Sequence, residues 1–136
     1  MKNCFAFIVV LGLSACATGY QNAALSISGG YTHSEGYGKL TKVEFFGNGF
    51  TSEERVKENT VRRIAELAIT AKKPYFLMYQ SIWQAHFGVT AKTPSSYVIG
   101  IKPGAYAYVL FLDEPAPGAL EAAPILKKWE EIEAQK

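Results

Sequence analysis

Cysteine is the most nucleophilic side chain a sequence can offer, and here it occurs only at Cys4 and Cys16. Both lie in or at the end of an apolar leader, so the body of the chain has no thiol for a disulfide framework, a Cys-zinc site or nucleophilic catalysis. The two histidines, His33 and His86, form neither an HxxxH nor an HExxH pattern, the spacings that turn two imidazoles toward one zinc ion. Asp113 is the single aspartate, which excludes EF-hand loops and aspartate-rich magnesium sites by count. The adjacent pairs Glu53-Glu54 and Glu130-Glu131 fall in helical stretches, where they serve solubility or capping rather than the opposed carboxylates of a glycosidase. No serine stands in a GxSxG elbow. What remains is Gly47-Asn48-Gly49, between a strand and a helix start, where backbone amides could cradle an anion. The pattern lacks a third glycine or a P-loop lysine, and it reads first as a simple turn with Asn48 or one glycine at positive φ. No catalytic residue, metal or cofactor is therefore expected.

The leader carries a different chemistry. Met1-Lys2-Asn3 is a short basic start, Phe5 to Leu13 is an apolar run broken by Gly12, and small residues precede Cys16. Residues 1–15 thus have the layout of a secretory signal peptide, too short to span a bilayer as a helix, which takes about 20 apolar residues. Leu13-Ser14-Ala15-Cys16 resembles a bacterial lipobox. That resemblance implies a diacylglycerol on the Cys16 sulfur, cleavage before it and acylation of the new amine, a membrane anchor in which each buried methylene contributes about 0.8 kcal/mol. Ala17 is not acidic, which in such lipoproteins goes with sorting to the outer membrane. Beyond the leader, 121 residues carry thirteen basic and twelve acidic side chains, the size of one domain with a near-neutral charge that argues against a nucleic-acid binder.

These residues need elements to position them. Residues 16–38, rich in Gly, Ser, Asn and Tyr, read as the lipidated Cys and a flexible tether, with Ala24 to Ser28 a possible short strand. A single domain is expected over 39–136. Leu40 to Phe45 alternates apolar and polar, the period of a half-buried strand, and Thr51 with Glu54 predicts a capping box at the head of a helix. On that helix Val56, Thr60, Ile64, Leu67, Ala68 and Ala71 form one stripe, with Arg55, Arg62 and Glu66 opposite. Ile69 lies off the stripe, which predicts a second element over that flank. Lys72-Lys73-Pro74 ends the helix. Tyr75 to Trp83 reads as a central strand, Gln84 to Pro94 as a loop, and Ser96 to Ile101 and Ala105 to Leu112 as a hairpin turned by Lys102-Pro103-Gly104. Glu114 to Gly118 ends the sheet, and a last helix begins near Ala123. The order predicts an α+β fold: a small antiparallel or mixed sheet of about four strands, one packed helix and a C-terminal helix.

Aromatic content is the one remaining signal of function. Eight Tyr, two Trp and six Phe lie beyond the leader. Amphipathic rings are enriched at binding surfaces, so Tyr106 and Tyr108 could present a docking face, although the favoured reading is that large rings fill the core of a small domain without disulfides.

Several short motifs agree in order and spacing. Phe46-Gly47-Asn48-Gly49-Phe50-Thr51, Arg63-Ile64-Ala65-Glu66-Leu67, Tyr75-Phe76, Thr18-Gly19-Tyr20 and Gly29-Gly30-Tyr31 together resemble a family of small proteobacterial lipoproteins of unknown function. The resemblance covers roughly residues 16 to 80. That family continues its Gly-Gly-Tyr with Ser and an acidic residue, where this chain has Thr32-His33-Ser34-Glu35. The resemblance implies an envelope lipoprotein and supplies no catalytic residues. The expected role is non-catalytic, structural or partner-binding, at the periplasmic face of the outer membrane, with the membrane and an envelope protein as partners. The alternative is a small ligand-binding or hydrolase lipoprotein with its site near Gly47-Gly49.

Overall fold

In the computed structural model, residues 17–26 and 28–136 are described; the leader and Cys16 lie outside them. The elements are β1 (Gly30–Glu35), β2 (Thr41–Phe46), α1 (Glu53–Thr70), β3 (Tyr75–Tyr79), α2 (Ile82–His86), β4 (Ser95–Ile99), β5 (Lys102–Leu112), β6 (Leu120–Glu121) and α3 (Ala122–Glu133). The fold is α+β, with every strand pairing antiparallel.

Strand β5 organises the sheet because it is long enough to serve three partners. Its middle pairs with β2, from Gly104 opposite Phe46 to Val109 opposite Thr41. Its other edge is shared: β4 takes the first half, with Ser95 opposite Tyr106, and β3 takes the second, with Tyr79 opposite Tyr108. β1 continues the sheet beyond β2, and β6 continues it beyond β3.

Alternation along β5 then divides the molecule into two faces. Ala105, Ala107 and Val109 point to one side and are fully buried with Val43 and Phe45 of β2 and Phe76 and Met78 of β3. Ile64, Ala65 and Ala68 of α1 close this core, and Ala122, Ile125 and Leu126 of α3 pack beside them. Small residues on β5 let α1 lie close to the sheet. The stripe predicted for α1 is buried at Val56, Thr60, Ile64 and Ala68, whereas Ile69 is exposed, so no element covers that flank.

Several boundaries differ from the sequence reading. Gly30–Glu35, placed in the tether, is the edge strand β1, and the predicted strand at residues 24–28 is replaced by a single 3-10 turn, Ala23–Leu25. The α1 cap is Ser52, whose Oγ accepts from the Arg55 amide at 3.1 Å, because Thr51 Oγ1 is taken by the Thr18 amide at 3.0 Å. Strand β3 stops at Tyr79, and Ile82 and Trp83 open α2 instead of extending it. The hairpin turns at Gly100-Ile101, with Gly100 at φ 63°, as the first central position of a II′ turn requires. Gly104 serves another purpose: a Cβ there would lie 2.3 Å from Cζ of Tyr97, so its bare backbone admits that ring. Leu120–Glu121, beyond the expected end of the sheet, forms β6 on the edge of β3.

The division into faces gives a contrast to measure. Ala107→Leu, which crowds the core under α1, is expected to lower unfolding free energy by about 1–3 kcal/mol. Tyr108→Leu on the opposite face is expected to change it less. Chemical denaturation of both variants checks the assignment, and the reverse order would reject it.

Candidate functional site

The face of the sheet turned away from α1 carries the large rings. Tyr106 and Tyr108 stand there with Tyr97, Tyr79, Leu110 and Phe46, all on the same register side. Tyr106 and Tyr108 are half-buried on this face, neither fully buried under a helix nor fully exposed. Their rings touch in sequence, Tyr97 to Tyr106 at 6.2 Å between centroids and Tyr106 to Tyr108 at 6.1 Å edge to face.

Polar groups fix that row. Tyr97 donates its hydroxyl to Oε1 of Glu44 at 2.8 Å, and Lys42 donates to the other Glu44 oxygen at 3.2 Å while its ammonium lies 5.1 Å from the Tyr106 centroid. Burial and the Glu44 carboxylate push the Tyr97 phenol well above the ordinary tyrosine range, so it stays a donor. Burial raises Tyr79 in the same direction.

Beside these rings, α2 and the β1–β2 loop enclose a groove of about 540 Å³. Tyr79 and Leu110 form its floor, Ile82 and Trp83 one wall, Tyr37 and Leu40 the other. Trp83 is 74% exposed and Tyr37 75% exposed, both high for rings of this size. Trp83, His86 and Phe87 stack on one another, Trp83 to Phe87 nearly parallel at 6.5 Å and His86 edge-on to Phe87 at 5.0 Å. Lys39 and His86 line the groove as well, and no carboxylate does. The arrangement can bury an apolar or aromatic side chain of a partner, and it lacks the paired acid and base that hydrolysis uses.

α2 is positioned by a capping arrangement that the sequence carried as Ser81-x-x-Gln84. Ser81 Oγ accepts from the Gln84 amide at 3.1 Å, and Gln84 Oε1 accepts from the Gln80 amide at 2.9 Å. The loop after it is pinned too, with the Ala91 amide donating to the Met78 carbonyl at 2.7 Å. The sequence reading missed Trp83 as a surface residue because an aromatic run beginning at Tyr75 was extended through it.

Asn48 is elsewhere. Its Oδ1 accepts from the Phe50 amide at 2.9 Å and from the Thr51 hydroxyl at 3.1 Å, a local turn before α1. None of Gly47, Asn48 and Gly49 has positive φ. The glycines are there for close approach: a Cβ on Gly47 would meet the Thr51 side chain at 2.7 Å, and one on Gly49 would meet Cδ1 of Ile101 at 2.7 Å. Asn48 lines neither the aromatic groove nor a second groove of about 310 Å³ between α1 and α3, and the structure does not bring it together with His86.

His33, exposed, lies on the α1 side of β1, and partial burial and the Arg63 charge lower its imidazole below the ordinary range. Among the described residues no three His, Cys, Asp or Glu side chains gather to hold a metal, and no helix is long and apolar enough to cross a membrane. Glu66, on the face of α1 opposite the predicted stripe, pairs with Arg62 at 3.3 Å and with Arg63 at 3.0 Å, and it accepts the Tyr20 hydroxyl at 2.5 Å. Compared with family models, curated proteins and solved structures, the chain matches none.

The raised phenols set a pH dependence. Tyr20, like Tyr97, is held far above the ordinary value, first by burial and then by its carboxylate partner. Above pH about 10 the unfolded chain releases these protons and the folded chain does not, so stability is fully present below that pH and falls as pH rises. Tyr20→Phe and Tyr97→Phe are expected to flatten the decline, measured as the urea midpoint between neutral and strongly alkaline pH. Unchanged slopes in both variants would show that the two phenols titrate normally.

Proposed function

We propose that this chain is a bacterial envelope lipoprotein, anchored by acyl chains on Cys16 in the outer membrane, whose periplasmic domain binds an envelope protein without catalysis. The observation that carries the reading is Leu13-Ser14-Ala15-Cys16 at the end of an apolar run led by Lys2. The resemblance to small lipoproteins of unknown function agrees with it in the order of its motifs.

The domain supports the binding half of the reading by what it exposes. A globular protein leaves single apolar side chains in water, but an exposed tryptophan and tyrosine gathered around an apolar floor form the kind of site whose burial drives association. Tyr106 and Tyr108 extend the same surface along the sheet. Rings bring large contact area with few rotatable bonds, so little entropy opposes docking. Gly47, Asn48 and Gly49 line neither groove, and the Asn48 and Thr51 side chains there bond to each other, which favours partner binding over the ligand or hydrolase alternative at that turn.

Two measurements test the two halves. Cys16→Ala is expected to abolish incorporation of labelled palmitate in growing cells, and label persisting in that variant would refute the anchor. Trp83→Ala is expected to remove one or more protein cross-links formed in intact cells, at a melting temperature close to the parent, since Trp83 is exposed and contributes little to the core. An unchanged cross-link pattern for Trp83→Ala and for Tyr108→Ala would refute the docking surface.

A further inference from the structure

The two ends of the sheet differ in a way that assigns them separate surroundings. At one end, the Phe46 end of β2, the first described residues of the chain are tied down. The Thr18 amide donates to Thr51 Oγ1 at 3.0 Å, and the Thr18 hydroxyl donates to the Ser28 carbonyl at 2.6 Å. Thr18 itself is buried. Cys16 is two residues earlier in the sequence, and two residues of chain reach at most about 7 Å.

Around that point the surface is apolar. Phe50 is 67% exposed on the loop before α1, Ile99 is 70% exposed and Ile101 78% exposed at the tip of the β4–β5 hairpin. The two loops touch, since the Ile101 side chain fills the space a Cβ on Gly49 would occupy. Val98, half-exposed, borders them, and Lys102 begins the returning strand in water. The aromatic groove is at the other end. The β1–β2 ladder runs from Gly30 opposite Phe46 to Glu35 opposite Thr41, and Tyr37 lies in the loop beyond, about 17 Å away along the strands.

We infer that the Phe50, Ile99 and Ile101 tip is a membrane-contact surface, which rests in the headgroup and upper acyl region of the bilayer holding the Cys16 lipid and turns the aromatic groove away from it. This rests on the lipid-anchor reading above. An acyl chain on Cys16 holds the neighbouring tip permanently at the bilayer surface, and apolar side chains held there gain by leaving water at no further cost of association. Phenylalanine and isoleucine suit that depth, and the Lys102 ammonium suits anionic headgroups. Glu53 and Glu54, three and four residues beyond Phe50, set the limit of entry because carboxylates do not follow into hydrocarbon.

The absence of any other free cysteine in the processed chain makes the test direct. Ile101→Cys and, separately, Trp83→Cys are labelled with an environment-sensitive fluorophore in the acylated protein, reconstituted into vesicles of phosphatidylethanolamine and phosphatidylglycerol with shallow lipid-borne quenchers. The label at 101 is expected to be blue-shifted and quenched several-fold more than the label at 83. Equal quenching at both sites, or stronger quenching at 83, overturns the orientation in a protein shown by palmitate label and flotation to be anchored. A label at 101 that is blue-shifted but unquenched by lipid points to a second copy or another protein over the tip and also overturns it. A chain with no palmitate label and no flotation refutes the anchor, and the contact surface with it.

Discussion

The architecture depends on one strand whose two faces are built to opposite specifications. β5 must pair on both edges along most of its length while carrying alanine and valine inward and tyrosine and leucine outward. Small inward residues let the backbone of α1 approach, and they leave the larger Phe45, Phe76 and Met78 on neighbouring strands to fill the volume between. A one-residue slip of β5 would put Tyr106 and Tyr108 beneath the helix and the alanines in water. Register is thus enforced by volume as well as polarity. The open aromatic face follows from the same pattern, because the rings excluded from the crowded side have nowhere else to point.

A second constraint ties the ends of the chain to this core. The Arg62 guanidinium lies 3.9 Å from the Tyr20 ring centroid on one side and 5.1 Å from Trp129 on the other, and it donates to Glu133 at 2.6 Å and Glu66 at 3.3 Å. Burial pulls its charge toward neutrality, but Glu133 and Glu66 outweigh that and hold it ionised. One side chain of α1 thereby connects the segment before β1 to α3. Arg63 does the same for β1, with its guanidinium 4.2 Å from the Tyr31 centroid. Cation–ring contacts of this kind are worth more when partly desolvated, as these are, than at an open surface. Tyr20 also stacks parallel to Phe45 at 6.2 Å, so the segment before β1 closes one edge of the core.

The parts of this fold that were legible in the sequence are those where one physical demand acts alone. α1 shows a clean stripe because one face meets the sheet and the other meets water. β2 alternates for the same reason. β1 gave no signal because Thr32, His33, Ser34 and Glu35 are all exposed, and only Gly30 is fully buried and Tyr31 partly so. The hairpin turn was misplaced because Pro103-Gly104 has turn chemistry, yet Gly104 answers to the Tyr97 ring and the Pro103 carbonyl accepts the Gly47 amide at 2.8 Å. In the candidate site, Tyr106 and Tyr108 were readable as strand residues of one face. Trp83 was not, because β3 and α2 run together as a single apolar stretch, and only Ser81 and Gln84 mark the break.

The same separation of demands bears on why the groove and the tip lie at opposite poles. Both expose apolar surface, which a protein free in solution would bury or lose to aggregation. A domain held at a bilayer has two unlike environments, one fixed by the attachment point and one facing away. Apolar residues beside the attachment point are removed from water by the anchor itself, whereas those far from it stay exposed until a partner arrives. On the proposed reading, aliphatic Ile99 and Ile101 suit the first task, because lipid demands only that a side chain be apolar. Trp83, Tyr37 and Phe87 suit the second, since rings that also offer hydroxyl, indole or edge contacts can discriminate between partners. On that reading, it is the contrast between Ile99 and Ile101 at one pole and Trp83 and Tyr37 at the other, rather than the exposure they share, that separates a surface for lipid from a surface for protein.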